Sequence, residues 1–247
     1  MDRRLLGKSG LQLVQRIMNM RILAVATLLG MTMGTALASP RPVVVELFTS
    51  QGCSDCPPAD ALLRHLKATN PDVLALDLHV SYWNNAAWTD PFSLQAATDL
   101  QDHYASLRGS TEVYTPEAVV DGKAQFVGSD KATMIAAIAR ARAAIDRDGA
   151  TPVSVSASNE QVSVHVGPGT GSATVWLFGF DSEHTTKVRG GENGGTTLTE
   201  VNVVRSITGL GVWSGQPWQR TIRVPAGTKF AALVQRSDGT ILGTADN

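Results

Sequence analysis

A largely β-branched run, Val43 to Thr49 (VVVELFT), leads through Ser50-Gln51-Gly52 into Cys53-Ser54-Asp55-Cys56, and Pro57-Pro58-Ala59-Asp60 follows at once. The run reads as a strand buried on both faces. Two successive prolines suit the first turn of a helix, where their missing N–H groups would have no partner anyway. Leu62, Leu63 and Leu66 give that helix an apolar stripe, and Asn70-Pro71 ends it. A C-x-x-C held between a strand and a helix start has a defined chemistry. The first sulfur faces unpaired N–H groups and the positive end of the helix, which favours thiolate over thiol. The second, about one turn on, reaches back to close a disulfide. Cys53 is therefore the expected nucleophile and Cys56 the expected resolving thiol. Zinc sites use the same spacing but want two more nitrogen or sulfur ligands nearby, and no second cysteine pair exists.

Downstream, residues 73–80 read as a second strand, and a polar-aromatic loop from Ser81 to Pro91 leads to a helix over about 92–107. Strands over 118–120 and 124–127 form a hairpin about Asp121-Gly122, and 130–147 is an alanine-rich helix. Thr115-Pro116 stands directly before the hairpin, where a thioredoxin-like fold sets a cis-proline against its disulfide. Pro116 has no N–H, and Thr115 offers its backbone groups to an extended peptide. Strand, C-x-x-C, helix, then X-Pro with a hairpin and a last helix imply an α/β thioredoxin-like domain over 39–149. After Gly149 the texture changes to alternating Val, Ser and Thr with many glycines. Strands are expected over 153–156, 162–166, 173–180, 198–206, 219–224 and 229–235, which implies an all-β sandwich-like domain over 150–247.

The run from Val45-Glu46-Leu47-Phe48 through Cys53-Ser54-Asp55-Cys56 to Asp60 resembles an exported family catalogued as domain of unknown function 1223. Further matching positions are His79-Val80, Tyr82-Trp83, Trp88 and Asp90-Pro91-Phe92, then Tyr114-Thr115-Pro116 with Val119-Val120-Asp121-Gly122. Gly191-Glu192-Asn193 and Asn202-Val203-Val204-Arg205 complete the likeness. It implies a thioredoxin-like fold, export and a β-rich C-terminal part, with no established activity. The chain departs from the family pattern at Ser81 and Asn84, where acidic residues are common.

Glu46 lies on the first strand and is expected beneath the second cysteine, where a buried acid of raised pKa would take its proton. Exposure to solvent, or pairing with a lysine, is the alternative. Asp55, inside the motif, disfavours the Cys53 thiolate, caps the helix start, or does both. His79 reads as a structural histidine in preference to a metal ligand or proton carrier. Tyr82, Trp83 and Trp88 suit either a lid over a substrate groove or a contact between the two parts of the chain. The run Arg189-Gly190-Gly191-Glu192-Asn193-Gly194-Gly195 lacks the Lys-Ser/Thr of a phosphate loop and reads as a hairpin or inter-domain loop.

Residues 22–37 form an apolar run behind Arg21 that ends at Ala36-Leu37-Ala38, a small-x-small site, so 1–38 reads as a signal peptide. The run falls short of the ~20 residues a bilayer span wants. No second long apolar stretch follows, so no stable membrane span is expected after cleavage, and the location is periplasmic or secreted. In that compartment a close pair of thiols is normally oxidised. Five basic residues and one acidic residue sit in 1–38, which leaves the rest of the chain at net −5 without a basic stripe and excludes nucleic acid as the main partner. With 43% apolar and 17% charged residues, global disorder is excluded as well.

Three functions remain. The favoured one is thiol–disulfide exchange with a protein thiol or disulfide substrate, through Cys53 and Cys56, with Pro116 helping to hold the peptide. The others are a non-enzymatic binding or assembly protein with a structural disulfide, and a soft-metal carrier for an ion such as Cu(I). No cofactor or resident metal is called for, and the partner of the β-rich part is left open.

Overall fold

The computed structural model describes residues 41–247, and the signal peptide expected over 1–38 lies outside them. β1 (Val43–Thr49) and β2 (Val73–His79) are buried along their whole lengths and run parallel, Val43 opposite Val73 and Thr49 opposite His79. A parallel pair needs a crossover, and α1 (Pro57–Thr69) supplies it. β3 (Glu117–Val120) pairs antiparallel with β1, and β4 (Ala124–Val127) with β3. Their three-residue connection holds Asp121 at φ 54° and Gly122 at φ 69°, both left-handed, and the Lys123 N–H closes the turn on the Val120 carbonyl at 3.1 Å. α2 (Gln95–Leu107) precedes this hairpin, and α3 (Lys131–Asp148) follows it, capped by the Asp130 carboxylate accepting from the Thr133 N–H. α2 starts three residues later than expected, because Asp90 accepts the Phe92 N–H at 2.9 Å and folds 90–93 into a turn.

After Asp148 every element is a strand: β5 (Val153–Ala157), β6 (Gln161–Val166), β7 (Ala173–Lys187), β8 (Thr197–Trp213), β9 (Trp218–Arg223), β10 (Lys229–Gln235) and β11 (Ile241–Asp246). The expectation of an α/β thioredoxin-like domain followed by an all-β sandwich-like domain is overturned here. The chain is mostly β, with three helices among the described residues. One eight-stranded mixed sheet, in the order β11-β10-β7-β8-β2-β1-β3-β4, takes strands from both parts of the chain, and β5-β6-β9 form a separate three-stranded sheet. The physical reason lies in β7 and β8. They run past their expected ends at 180 and 206, and β8 lies parallel beside β2 with Asp77 opposite Val203. At that join Asn202, at φ 51°, donates its side-chain amide to the Ala75 carbonyl at 2.8 Å, satisfying a buried acceptor on β2.

The apolar core follows the large sheet. On one face Val43, Val45 and Leu47 pack with Leu63 and Leu66 of α1 and Met134 and Ile138 of α3. On the other, Val44 and Phe48 pack with Tyr104 of α2 in a cluster that continues through Phe178, Val204 and Leu233. A third cluster, including Val164, Leu177 and Trp213, joins the small sheet to the large one. Each such side chain contributes about 1.5–3 kcal/mol by leaving water. What matters for the site is the parity of β1: odd residues face α1, and even residues face α2.

Candidate redox site

Cys53 and Cys56 are joined in a disulfide with Cα atoms 5.5 Å apart. Cys56 stands at the N-cap of α1, where its carbonyl accepts the Ala59 and Asp60 N–H groups at 2.8 and 3.1 Å. The first-turn N–H groups are thereby used up, since Pro57 and Pro58 have none and Ala59 and Asp60 bond to Cys56; what the helix start presents to the sulfurs is its positive end. The Thr115-Pro116 peptide is cis, and the Thr115 carbonyl oxygen lies 3.8 Å from Cys53 Sγ. Trp83 Nε1 donates to Thr115 Oγ1 at 2.7 Å, which ties the aromatic loop to the same point. Asp55 is exposed, and no side chain caps α1, so the capping alternative for Asp55 does not hold.

The disulfide is covered. Cys53 is 1% exposed and Cys56 0%. The cover is the tip of the β7–β8 hairpin, residues 188–196. Asn193 Nδ2 donates to both the Gln51 carbonyl (3.1 Å) and the Cys53 carbonyl (2.8 Å), and Glu192 Oε2 accepts the Ser54 N–H at 3.0 Å. Its own turn is held by Gly195 N–H to Val188 O at 2.9 Å and Thr196 N–H to Asn193 O at 3.1 Å. Gly190 has to lack a side chain, because a Cβ there would overlap the Ala87 carbonyl.

Beneath the cysteines, on the α1 face of the sheet, lies a buried polar cluster: Thr49 from β1, Asp60 from α1, Asp77 and His79 from β2, Asp90 from the loop and Glu200 from β8. His79 Nδ1 sits 2.7 Å from Asp90 Oδ2, while His79 Nε2 is 3.7 Å from Asp77 and 3.9 Å from Glu200. Asp90 Oδ2 also accepts the Gln51 N–H at 2.8 Å, and Gln51 Nε2 donates to Glu200 at 2.8 Å, so the cluster holds the turn that carries Cys53. Burial alone would push the His79 pKa down, but the Asp90 and Asp77 carboxylates outweigh it and hold the imidazolium well above its ordinary value. Burial would likewise raise Asp90, but His79 and two N–H donors keep it below the usual carboxylate range. The remaining acids go the other way. Burial, with Asp77 adding to it, raises Asp60 well above its ordinary value, and burial raises Asp77 against the pull of His79. Glu200 is pushed up to about 7 by burial, which His79 only partly offsets.

Glu46 belongs to neither the cysteines nor this cluster. Its parity on β1 turns it to the α2 face, where Tyr104 donates its hydroxyl to Glu46 Oε2 at 2.6 Å and Gln235 donates to that hydroxyl at 2.8 Å. Burial pushes its carboxyl up to about 7 against the hydrogen bond from Tyr104. The buried acid on the cysteine side is Asp60, four residues after Cys56 and so on the same flank of α1, where it accepts from Thr49 Oγ1 at 2.8 Å. Two signals in the sequence could have found this cluster. Asp60 stands at the i+4 position from Cys56, and Asp77 interrupts an otherwise apolar strand, VLALDLH.

The sequence model of a family described as protein of unknown function (DUF1223) matches residues 44–237. The chain belongs to that family. Within the matched span lie both cysteines, the Thr115-Pro116 bond, the covering loop and the whole buried cluster. Protein AGR_C_4864 from Agrobacterium tumefaciens, known from a crystal structure, is 31% identical to this DUF1223 chain with a TM-score of 0.72, covering 85% of this chain and 95% of that one. HBP35 of Porphyromonas gingivalis is 13% identical with a TM-score of 0.55, over 85% of this chain and 76% of that one, a likeness of fold alone. No curated protein matches the chain.

Proposed function

We propose that this protein is an exported thiol–disulfide oxidoreductase whose redox centre is the Cys53–Cys56 pair and whose substrate is a protein thiol or disulfide. The observation that carries the reading is the position of the pair, closed immediately before α1 with Cys56 as its N-cap and with the Thr115 carbonyl 3.8 Å from Cys53 Sγ. In the reducing direction the Cys53 thiolate attacks one sulfur of a partner disulfide and expels the other as thiolate. The Cys56 thiolate then attacks Cys53 Sγ, releases the second partner sulfur and leaves the Cys53–Cys56 disulfide, with two electrons passed to the partner. Run backwards, the same steps oxidise a partner dithiol. Asp60 is the acid suited to take the Cys56 proton, because it is buried, raised in pKa and one helical turn away. Export is supported by the apolar run over 22–37 and its Ala36-Leu37-Ala38 site.

A second reading, a structural bridge in a binding protein, is favoured by the burial of both cysteines. The reduction potential separates the two. A value between about −270 and −120 mV, together with a Cys56→Ser variant that traps a mixed disulfide on Cys53, is expected for exchange. A value below about −300 mV and no trapped species would mark the pair as structural and refute the proposal.

A further inference from the structure

We infer that the tip of the β7–β8 hairpin, residues 188–196, is an intramolecular gate on the Cys53–Cys56 disulfide, and that exchange requires it to lift. The inference rests on the redox reading above and names the regulation of that same site. Three hydrogen bonds hold the gate to the motif itself: Asn193 to the Gln51 and Cys53 carbonyls, and the Ser54 N–H to Glu192. These partners are the backbone groups of the turn that carries the attacking sulfur. The Glu192 carboxylate also stands at the positive start of α1, beside the thiolate position. Closed, it disfavours a negative charge on Cys53, and lifted it takes that penalty away.

The gate is built as a separable piece. Its own turn is closed by bonds among Val188, Gly191, Asn193, Gly194, Gly195 and Thr196, so it can move off without losing its internal bonding. It is carried on two strands, β7 and β8, that stay paired from Lys187–Thr197 down to Ala173–Trp213. Beneath it, the chain sections that a partner peptide would meet are Thr115-Pro116 and Trp83. A closed gate leaves Cys53 1% exposed, too little for in-line approach of a second sulfur. The gate thus restricts exchange to partners able to displace it.

The test is the rate at which dithiothreitol reduces the folded, oxidised protein, followed by alkylating the released thiols. Dithiothreitol gives two electrons and closes to its own disulfide as Cys53–Cys56 opens to two thiols, so no natural partner is needed. Asn193→Ala, which removes two of the three bonds, is expected to speed reduction about tenfold, the weight of one to two ordinary hydrogen bonds. Glu192→Ala changes an exposed side chain and keeps the fold; it is expected to speed reduction by about threefold. Rates within twofold of wild type for both folded variants would overturn the gate. The equilibrium potential of each variant is read separately. Faster reduction with a potential in the structural range would keep the gate and sink the redox reading. An exchange-range potential with unchanged rates would do the reverse.

Discussion

Replacing Asp90 by Asn changes one atom and removes one charge at the centre of the buried cluster. Asp90 Oδ2 faces His79 Nδ1 at 2.7 Å and the Gln51 N–H at 2.8 Å, while Oδ1 accepts the Phe92 N–H at 2.9 Å. An asparagine keeps one of these oxygens and turns the other into a donor. If the oxygen stays with His79 and Gln51, the new NH2 meets the Phe92 N–H donor head on. If it is flipped, the NH2 meets the protonated imidazole and the Gln51 N–H. Either way a charge-assisted bond of about 1.5–3 kcal/mol is lost and at least one buried donor is left unpaired, at about 1–3 kcal/mol more. The sum, about 2.5–6 kcal/mol, brackets the ~3–5 kcal/mol cost of removing one member of a buried ion pair. In urea, with a slope of about 2 kcal/mol per molar, the midpoint at pH 7 is expected to fall by about 2 M.

The pH dependence of that loss follows from the two pKa shifts. Asp90 is held below its ordinary value, so its contribution is complete above about pH 4 and is lost as pH falls through its depressed folded value. His79 is held above its ordinary value, so its contribution is complete below about pH 6.5 and is lost as pH rises through its raised folded value. The gap between wild type and Asp90→Asn is therefore widest across the plateau between them and narrows at both ends. A loss under about 1 kcal/mol at pH 6, with the folded variant verified by circular dichroism, would refute the pairing of Asp90 with a charged His79.

Glu46→Gln tests the acid on the other face. A folded pKa near 7 means that Glu46 supports the fold below about pH 4 and costs stability as pH rises through 7, by up to about 3 kcal/mol. The variant is expected to match wild type within about 1 kcal/mol at pH 5 and to exceed it by about 2 kcal/mol at pH 8 in urea titrations; an equal difference at both pH values would show that Glu46 does not titrate there. Asp60→Asn keeps the acceptor for Thr49 and removes the proton site beside Cys56. It is expected to slow closure of the mixed disulfide at pH 6–7 by at least about tenfold while leaving stability at pH 5 within about 1 kcal/mol, and unchanged stopped-flow closure rates would exclude Asp60 as the proton acceptor.

Much of the fold could be read because it is local. The buried run over Val43–Thr49, the Pro-Pro helix start and the Asp121-Gly122 turn each carry their cause within a few residues. The large sheet could not be read, because its deciding contact is not local. Asp181 to Lys187 (DSEHTTK) and Ile207 to Trp213 (ITGLGVW) look like loop by composition, yet they pair with Val203–Thr197 and Phe178–Ala173 as the two ends of one long hairpin. Nothing in the local pattern says that β8 will settle beside β2. β11 escaped for a related reason: Ile241 to Asp246 (ILGTAD) has weak β propensity, and its partner β10 holds it in place.

The same divide runs through the candidate site, and it is why Glu46 lies away from the cysteines. Cys53, Cys56, Thr115 and Pro116 sit in short motifs whose chemistry is visible in one dimension. Choosing between Glu46 and Asp60 takes strand parity, since Val45 and Leu47 pack on α1 while Glu46 between them points to Tyr104. The rest of the site is delivered by the long hairpin. β8 carries Glu200 into the buried cluster and its tip carries Glu192 and Asn193 onto the cysteine turn, while Gln51 bonds to both. The β-rich half is thus part of the site's construction. A chain cut after Asp148 would keep both cysteines, but it would lose Glu200 from beneath them, the three bonds that cover them, and the strand that closes the open edge of β2.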